Sequence, residues 1–200
     1  MQNTTMLPEG YSEIFRMDLQ QDKKKMLLVN GLALLITAVM LIPALFIVPI
    51  RTMFDMEAGV GLYFLRWGGL LVGIVLYMVL HELVHGVFMR HYSGVKPTYG
   101  YKGVYAYAGS QAYFNKRTYI IIALAPVVVW GIVLLILNLT AGPEWFWMIY
   151  LIQMTNISGA AGDMYVTWRF SGMPKDILVQ DSGVAMKVYA PKVCALKEDA

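Results

Sequence analysis

Cysteine is almost missing from this chain of 200 residues: Cys194 is the only one. An intramolecular disulfide and a thiolate-based zinc cluster are both excluded, so any bound metal must be held by histidine and carboxylate. Histidine is scarce too, at three residues, and charged residues make up 14% of the chain against 58% apolar. That much apolar surface exceeds what one soluble core of this size can hide, and the composition reads as a membrane protein. A cleavable leader is not expected. The first apolar stretch is too long for one and follows a polar lead holding Glu9, Glu13, Asp18 and Asp22.

Four apolar stretches reach the roughly 20 residues that a helix needs to cross a bilayer: Met26 to Ile50, Val60 to Met89, Tyr119 to Leu139 and Trp145 to Trp168. The expectation is an all-α integral membrane protein of four transmembrane helices, with a lead over 1–25, one membrane domain over 26–170 and a tail over 171–200. The formal charge of +3 is sorted by loop. With both termini in the cytosol, Arg16, Lys23, Lys24, Lys25, Arg90, Lys96, Lys102, Lys116, Arg117, Arg169, Lys175, Lys187, Lys192 and Lys197 all fall inside, which leaves only Arg51 and Arg66 of the sixteen. This is the positive-inside pattern of a four-helix, both-ends-in topology. A lipid bilayer is therefore the expected surrounding, and nucleic acid is not an expected partner.

The lead carries a turn signal at Pro8-Glu9-Gly10-Tyr11. Between the second and third helices, Tyr99, Tyr101, Tyr105, Tyr107 and Tyr113 stand among glycines. Their period-two spacing predicts a short β-hairpin near the surface. Two compatible accounts apply: an interfacial aromatic belt, or an edge strand that takes up an extended peptide, with Tyr105 and Tyr107 as substrate-binding candidates. The tail from Ser171 mixes charge with modest apolar stretches such as Val184 to Tyr189 and reads as a short cytosolic extension whose order the sequence leaves open.

Inside the second apolar stretch stands His81-Glu82-Leu83-Val84-His85, the H-E-x-x-H pattern. On a helix, positions i and i+4 share a face, so both imidazoles reach one Zn²⁺ while Glu82 beside the first meets a water there as acid and base. The motif is short enough to arise by chance. Its setting gives it weight, because ionisable residues within a bilayer-spanning helix are costly unless paired, hydrated or metal-bound.

Two histidines leave a tetrahedral zinc short of a third protein ligand. Of thirteen acidic residues only Glu82 and Asp163 lie within apolar stretches, so Asp163 is the leading candidate. Depth agrees: counted from Arg90 and Arg169 at 1.5 Å per residue, His85, His81 and Asp163 lie about 7, 13 and 9 Å inside. His91, six residues past His85, matches neither i+3 nor i+4 and is expected at the interface. Small residues crowd before Asp163, from Ser158 to Gly162, and let helices approach closely. Asn156, seven residues before Asp163, nearly shares its face. It is a candidate for bonding a substrate backbone or an oxyanion, with a plain interhelical hydrogen bond as an equal alternative. Pro126 reads as a kink in the third helix.

Together these residues resemble the site-2 protease clan of intramembrane zinc proteases. More closely, the lead from Leu7 to Glu13, the motif His81 to His85 and the late Gly162-Asp163 resemble a small bacterial family of zincin-type membrane peptidases. The resemblance implies zinc ligation by His81, His85 and Asp163, catalysis by Glu82, and a multi-pass place in the bacterial plasma membrane. The clan's Asn-x-x-Pro stretch leading to Leu-Asp-Gly is only partly kept: Gly159 stands where Pro is expected, Gly162 precedes the Asp and Met164 follows it. The expected function is a zinc-dependent endopeptidase that acts on a membrane or membrane-proximal peptide near the cytosolic face. A catalytically silent zinc-binding adaptor and, behind it, a small transporter are the alternatives.

Overall fold

A helix that is apolar on every side has no face to give to water, and three segments of this chain are of that kind. The computed structural model describes residues 3–18, 21–57, 59–102, 105–183 and 185–192. In it these segments form α1 (Lys23–Ile47), α2 (Val60–Ser93) and α3 (Lys116–Thr140). Each is long and apolar enough to cross a membrane; at 1.5 Å per residue the shorter two measure about 37 Å against a hydrocarbon layer of about 30 Å. Their apolar side chains point outward, with Phe46 at 87% exposure and Leu34, Val72 and Leu139 also exposed. Such a surface is unfavourable in water and ordinary against lipid.

The fourth apolar stretch, expected as one helix, is two. A break at Ala160 (φ −84°, ψ 16°) separates α4 (Phe146–Gly159) from α5 (Ala161–Ser171), and neither piece alone has the length of a span. The small residues read as a packing device surround this break. Gly159 and Gly162 are poor helix formers, while Ala160 and Ala161 are fully buried.

The chain forms two compact units. One comprises Leu28–His81 and Pro126–Gly162. Its core joins Leu70 and Tyr77 of α2, Leu134 of α3, and Trp147, Ile149 and Ile152 of α4. Gly73 is tight here because a Cβ would strike Ile152.

The other unit comprises Met1–Leu27, Glu82–Ala125 and Asp163–Ala200, and it holds all the strands among the described residues. Residues of the lead form β1 (Tyr11–Met17), introduced by the expected turn, in which the Tyr11 N–H donates to the Pro8 carbonyl and Gly10 has φ +81°. Between α2 and α3 lie β2 (Thr98–Lys102), β3 (Tyr105–Gly109) and β4 (Tyr113–Asn115), and the tail supplies β5 (Leu178–Asp181) and β6 (Met186–Pro191). One antiparallel sheet has the order β1-β6-β5-β4. The order left open for the tail is thus defined over its described strands: Ile177, Leu178, Val179, Val188 and Ala190 are fully buried. β2 and β3 make a separate hairpin at the expected place. The chain is therefore mostly helical with small β-sheets, where an all-α body with a single hairpin was expected.

Candidate metal centre

His81 and His85 stand one turn apart on α2, and each ring is fixed through its Nδ1. Tyr77, a turn before His81, places its hydroxyl 2.7 Å from His81 Nδ1, 3.0 Å from Asn156 Oδ1 and 3.3 Å from the Asn156 carbonyl. Both Asn156 oxygens can only accept, so the Tyr77 proton goes to Asn156 and His81 Nδ1–H donates to the tyrosine oxygen. The Asn156 amide is oriented in turn: its Nδ2 donates to the Val127 carbonyl at 3.2 Å and to Gln153 Oε1 at 3.4 Å, and the side chain is fully buried. His85 Nδ1–H donates to the Ile122 carbonyl at 2.9 Å. In both rings Nε2 is left as the ligating nitrogen, the arrangement by which outer partners set the tautomer of metal-binding histidines.

Asp163 lies in the first turn of α5, where the helix dipole favours a negative charge. Its Oδ1 is 3.7 Å from His85 Nε2. One ligand atom from each of His81, His85 and Asp163 falls within 4.8 Å of the others. Ligands at 2.0–2.2 Å from a tetrahedral zinc are about 3.4 Å apart, so the His85–Asp163 pair is within a few tenths of an ångström of that spacing. The donor set, two imidazoles and a carboxylate without thiolate, also suits zinc. These residues could hold a metal ion. Both histidines are buried, while Asp163 is half-buried.

Glu82 is half-buried next to His81, and Gly86 follows it by one turn on the same face. Tyr99 of β2 packs its hydroxyl against Gly86, closely enough that a Cβ there would collide with the ring. Its phenol is pushed above the usual range, first by burial and then by the negative charge of Glu82, with Arg90 acting the other way. Pairing explains why Tyr99 and not Tyr107 takes this place. Tyr107 lies opposite Gly100 and shares its face, while Tyr99 points to the other. Tyr107 packs over Gly100 and Gly183 instead. The side chain of Tyr105 lies outside the described residues. His91 is exposed and stands apart from the cluster.

The sequence reading missed Tyr77, the Ile122 carbonyl and the Tyr99–Gly86 contact. Tyr77 was the findable one, because it precedes His81 by the same four residues that separate His81 from His85. The Ile122 carbonyl is main chain and leaves no side-chain signal. Asn156 bonds Tyr77 and the Val127 carbonyl across helices and Gln153 within α4.

Residues 74–178 match the model of the family described as "putative zincin peptidase". No curated protein and no solved structure matches the chain.

Proposed function

The chain belongs to this family, and we propose that it is a membrane-embedded zinc endopeptidase, cleaving a membrane or membrane-proximal peptide near the cytosolic face of the bacterial plasma membrane. The observation that carries the reading is the meeting of His81, His85 and Asp163 within 4.8 Å, with each imidazole held through Nδ1. In the proposal these three residues hold the zinc. A zinc bound there supplies Lewis acidity, polarising the scissile carbonyl and acidifying a water to a pKa near 7.

The chain's own groups do the rest. The Glu82 carboxylate takes the proton of the attacking water and passes it to the leaving amine nitrogen. The half-buried Asp163 side leaves an approach for a peptide, which must be extended at the cleavage point because a helical substrate shields its carbonyls. The β2–β3 hairpin forms a two-stranded sheet with no further strand paired to it among the described residues. It is the proposed holder of that stretch by strand addition, with Tyr105, Tyr107 and Tyr99 as its aromatic residues. Asn156 serves the site through Tyr77.

The test compares the native chain with Glu82→Gln, in zinc content and in cleavage of candidate membrane substrates. The expected result is equal zinc in both with cleavage lost in the variant. Equal cleavage by both would sink the proposal. Zinc without cleavage in either would favour the silent adaptor, which needs the ligands but not the base.

A further inference from the structure

α3 contains Pro126 in its interior. In an α-helix the N–H of residue i bonds the carbonyl of residue i−4, so the group that Pro126 leaves without its helical partner is the carbonyl of Ile122. Proline acts twice on that carbonyl: it offers no N–H, and its ring presses against the oxygen and tilts it away from the helix. Ile122 is 1% exposed, so water is not at hand to replace the missing donor, and a buried carbonyl left unpaired is costly. The donor that meets it is His85 Nδ1–H, at 2.9 Å.

Building on the metal site proposed above, we infer that Pro126 is a positioning residue for His85. By withholding an N–H from the Ile122 carbonyl it keeps that oxygen for the imidazole, which fixes the Nδ1–H tautomer and turns Nε2 toward His81 and Asp163. An intact helix would direct the Ile122 carbonyl along its own axis, and the ring would lose its anchor. Membrane helices tolerate proline where neighbouring groups re-satisfy the freed backbone. Here the neighbouring group is a candidate metal ligand.

The test is Pro126→Ala in the full chain, which restores the N–H at 126 and favours the helix. Zinc affinity, measured by competition with a chromophoric chelator, should fall about 10–100-fold, the usual effect of losing an outer partner of a ligating histidine. Thermal stability should hold or rise. Pro43→Ala removes the interior proline of α1 and should leave zinc affinity unchanged. A proline that merely shaped its helix would alter stability but not metal affinity, so a folded Pro126→Ala chain with native zinc affinity overturns the inference.

A second readout does not depend on metal. The imidazole ¹⁵N signals of the metal-free native chain should show His85 protonated at Nδ1, and Pro126→Ala should perturb that signal. A native His85 protonated at Nε2 instead, or a signal untouched by the substitution, overturns the inference as well. If the native chain binds no zinc while the tautomer behaves as expected, the metalloprotease reading fails and the role of Pro126 stands.

Discussion

The Tyr77 hydroxyl is one oxygen atom on which the orientation of His81 depends, and Tyr77→Phe removes it with little change of shape. It bridges His81 Nδ1 at 2.7 Å and Asn156 Oδ1 at 3.0 Å, and both partners are buried, at 8% and 0% exposure. The substitution therefore removes the hydroxyl that serves the His81 Nδ1–H and the Asn156 Oδ1, at a cost of about 1–3 kcal/mol for each bond where no other group meets them. Part of this cost falls on the metal-free and metal-bound chains alike and cancels from the binding equilibrium. What does not cancel is the tautomer. Without metal, His81 is at liberty in the variant to move its proton to Nε2, whereas a metal at Nε2 forces the proton onto an Nδ1 that has lost its acceptor. The expected loss in zinc affinity is about 10–100-fold, or about 1.4–2.7 kcal/mol at 1.36 kcal/mol per decade. Chelator competition on detergent-solubilised protein measures it, with circular dichroism to establish that both chains are folded. Native zinc affinity in a folded Tyr77→Phe chain would refute the reasoning, because it would mean that the 2.7 Å contact does not orient the ring.

Two further outcomes follow from the unit that carries the strands. Gly86→Ala sets a Cβ against the Tyr99 ring. Tyr99 is half exposed, so the ring is displaced rather than crushed, and hydrogen exchange of the β2–β3 amides should quicken; unchanged exchange would show that the contact does not hold the hairpin. Asp181 concerns pH. Its carboxyl accepts from the Tyr119 hydroxyl and the Gly183 N–H, yet burial outweighs both and raises its pKa above the usual 3.8. The folded chain therefore binds this proton more tightly than the unfolded one. The associated stability is full below 3.8 and is lost as pH rises through the raised folded value. Asp181→Asn should remove that dependence, so the difference in melting temperature between variant and native chain should shrink as pH falls. A difference constant with pH would contradict the assignment.

The extent to which the site was legible follows from where its information lies. H-E-x-x-H is local, and helical geometry alone brings His81 and His85 to one face. Asp163 is distant in sequence, but scarcity made it findable, since the apolar stretches of this chain hold only two carboxylates to choose between. The break at Ala160 was less legible, because apolar composition cannot distinguish one membrane-length helix from two short ones, and the small residues there admit either close packing or interruption. The tail strands were harder still. Leu178–Asp181 and Met186–Pro191 are too short to declare themselves, and their order depends on distant partners, β6 pairing with β1 more than 160 residues away and β5 with β4 more than 60 residues away. The tyrosine spacing gave the hairpin, but which tyrosine faces α2 depends on register, and a shift by one residue exchanges the faces of a strand.

The two imidazoles are anchored by acceptors of different kinds, and this has a consequence for how such a site tolerates change. His81 depends on a hydroxyl and, behind it, on an amide, so either Tyr77 or Asn156 can be lost to a single substitution. His85 depends on a backbone carbonyl, which persists whatever side chain stands at 122; only a change that restores the missing helical N–H, at 126, competes for it. The two arms should then fail differently. Substitutions along Tyr77 and Asn156 leave buried polar groups unsatisfied and weaken the fold together with the metal site, whereas substitution of Pro126 exchanges the imidazole for a helical N–H at the Ile122 carbonyl, so that what the helix gains offsets what His85 loses while the metal site weakens. A variant that keeps or gains thermal stability as it loses zinc affinity is the signature of the His85 arm, and no substitution at Tyr77 or Asn156 should reproduce it.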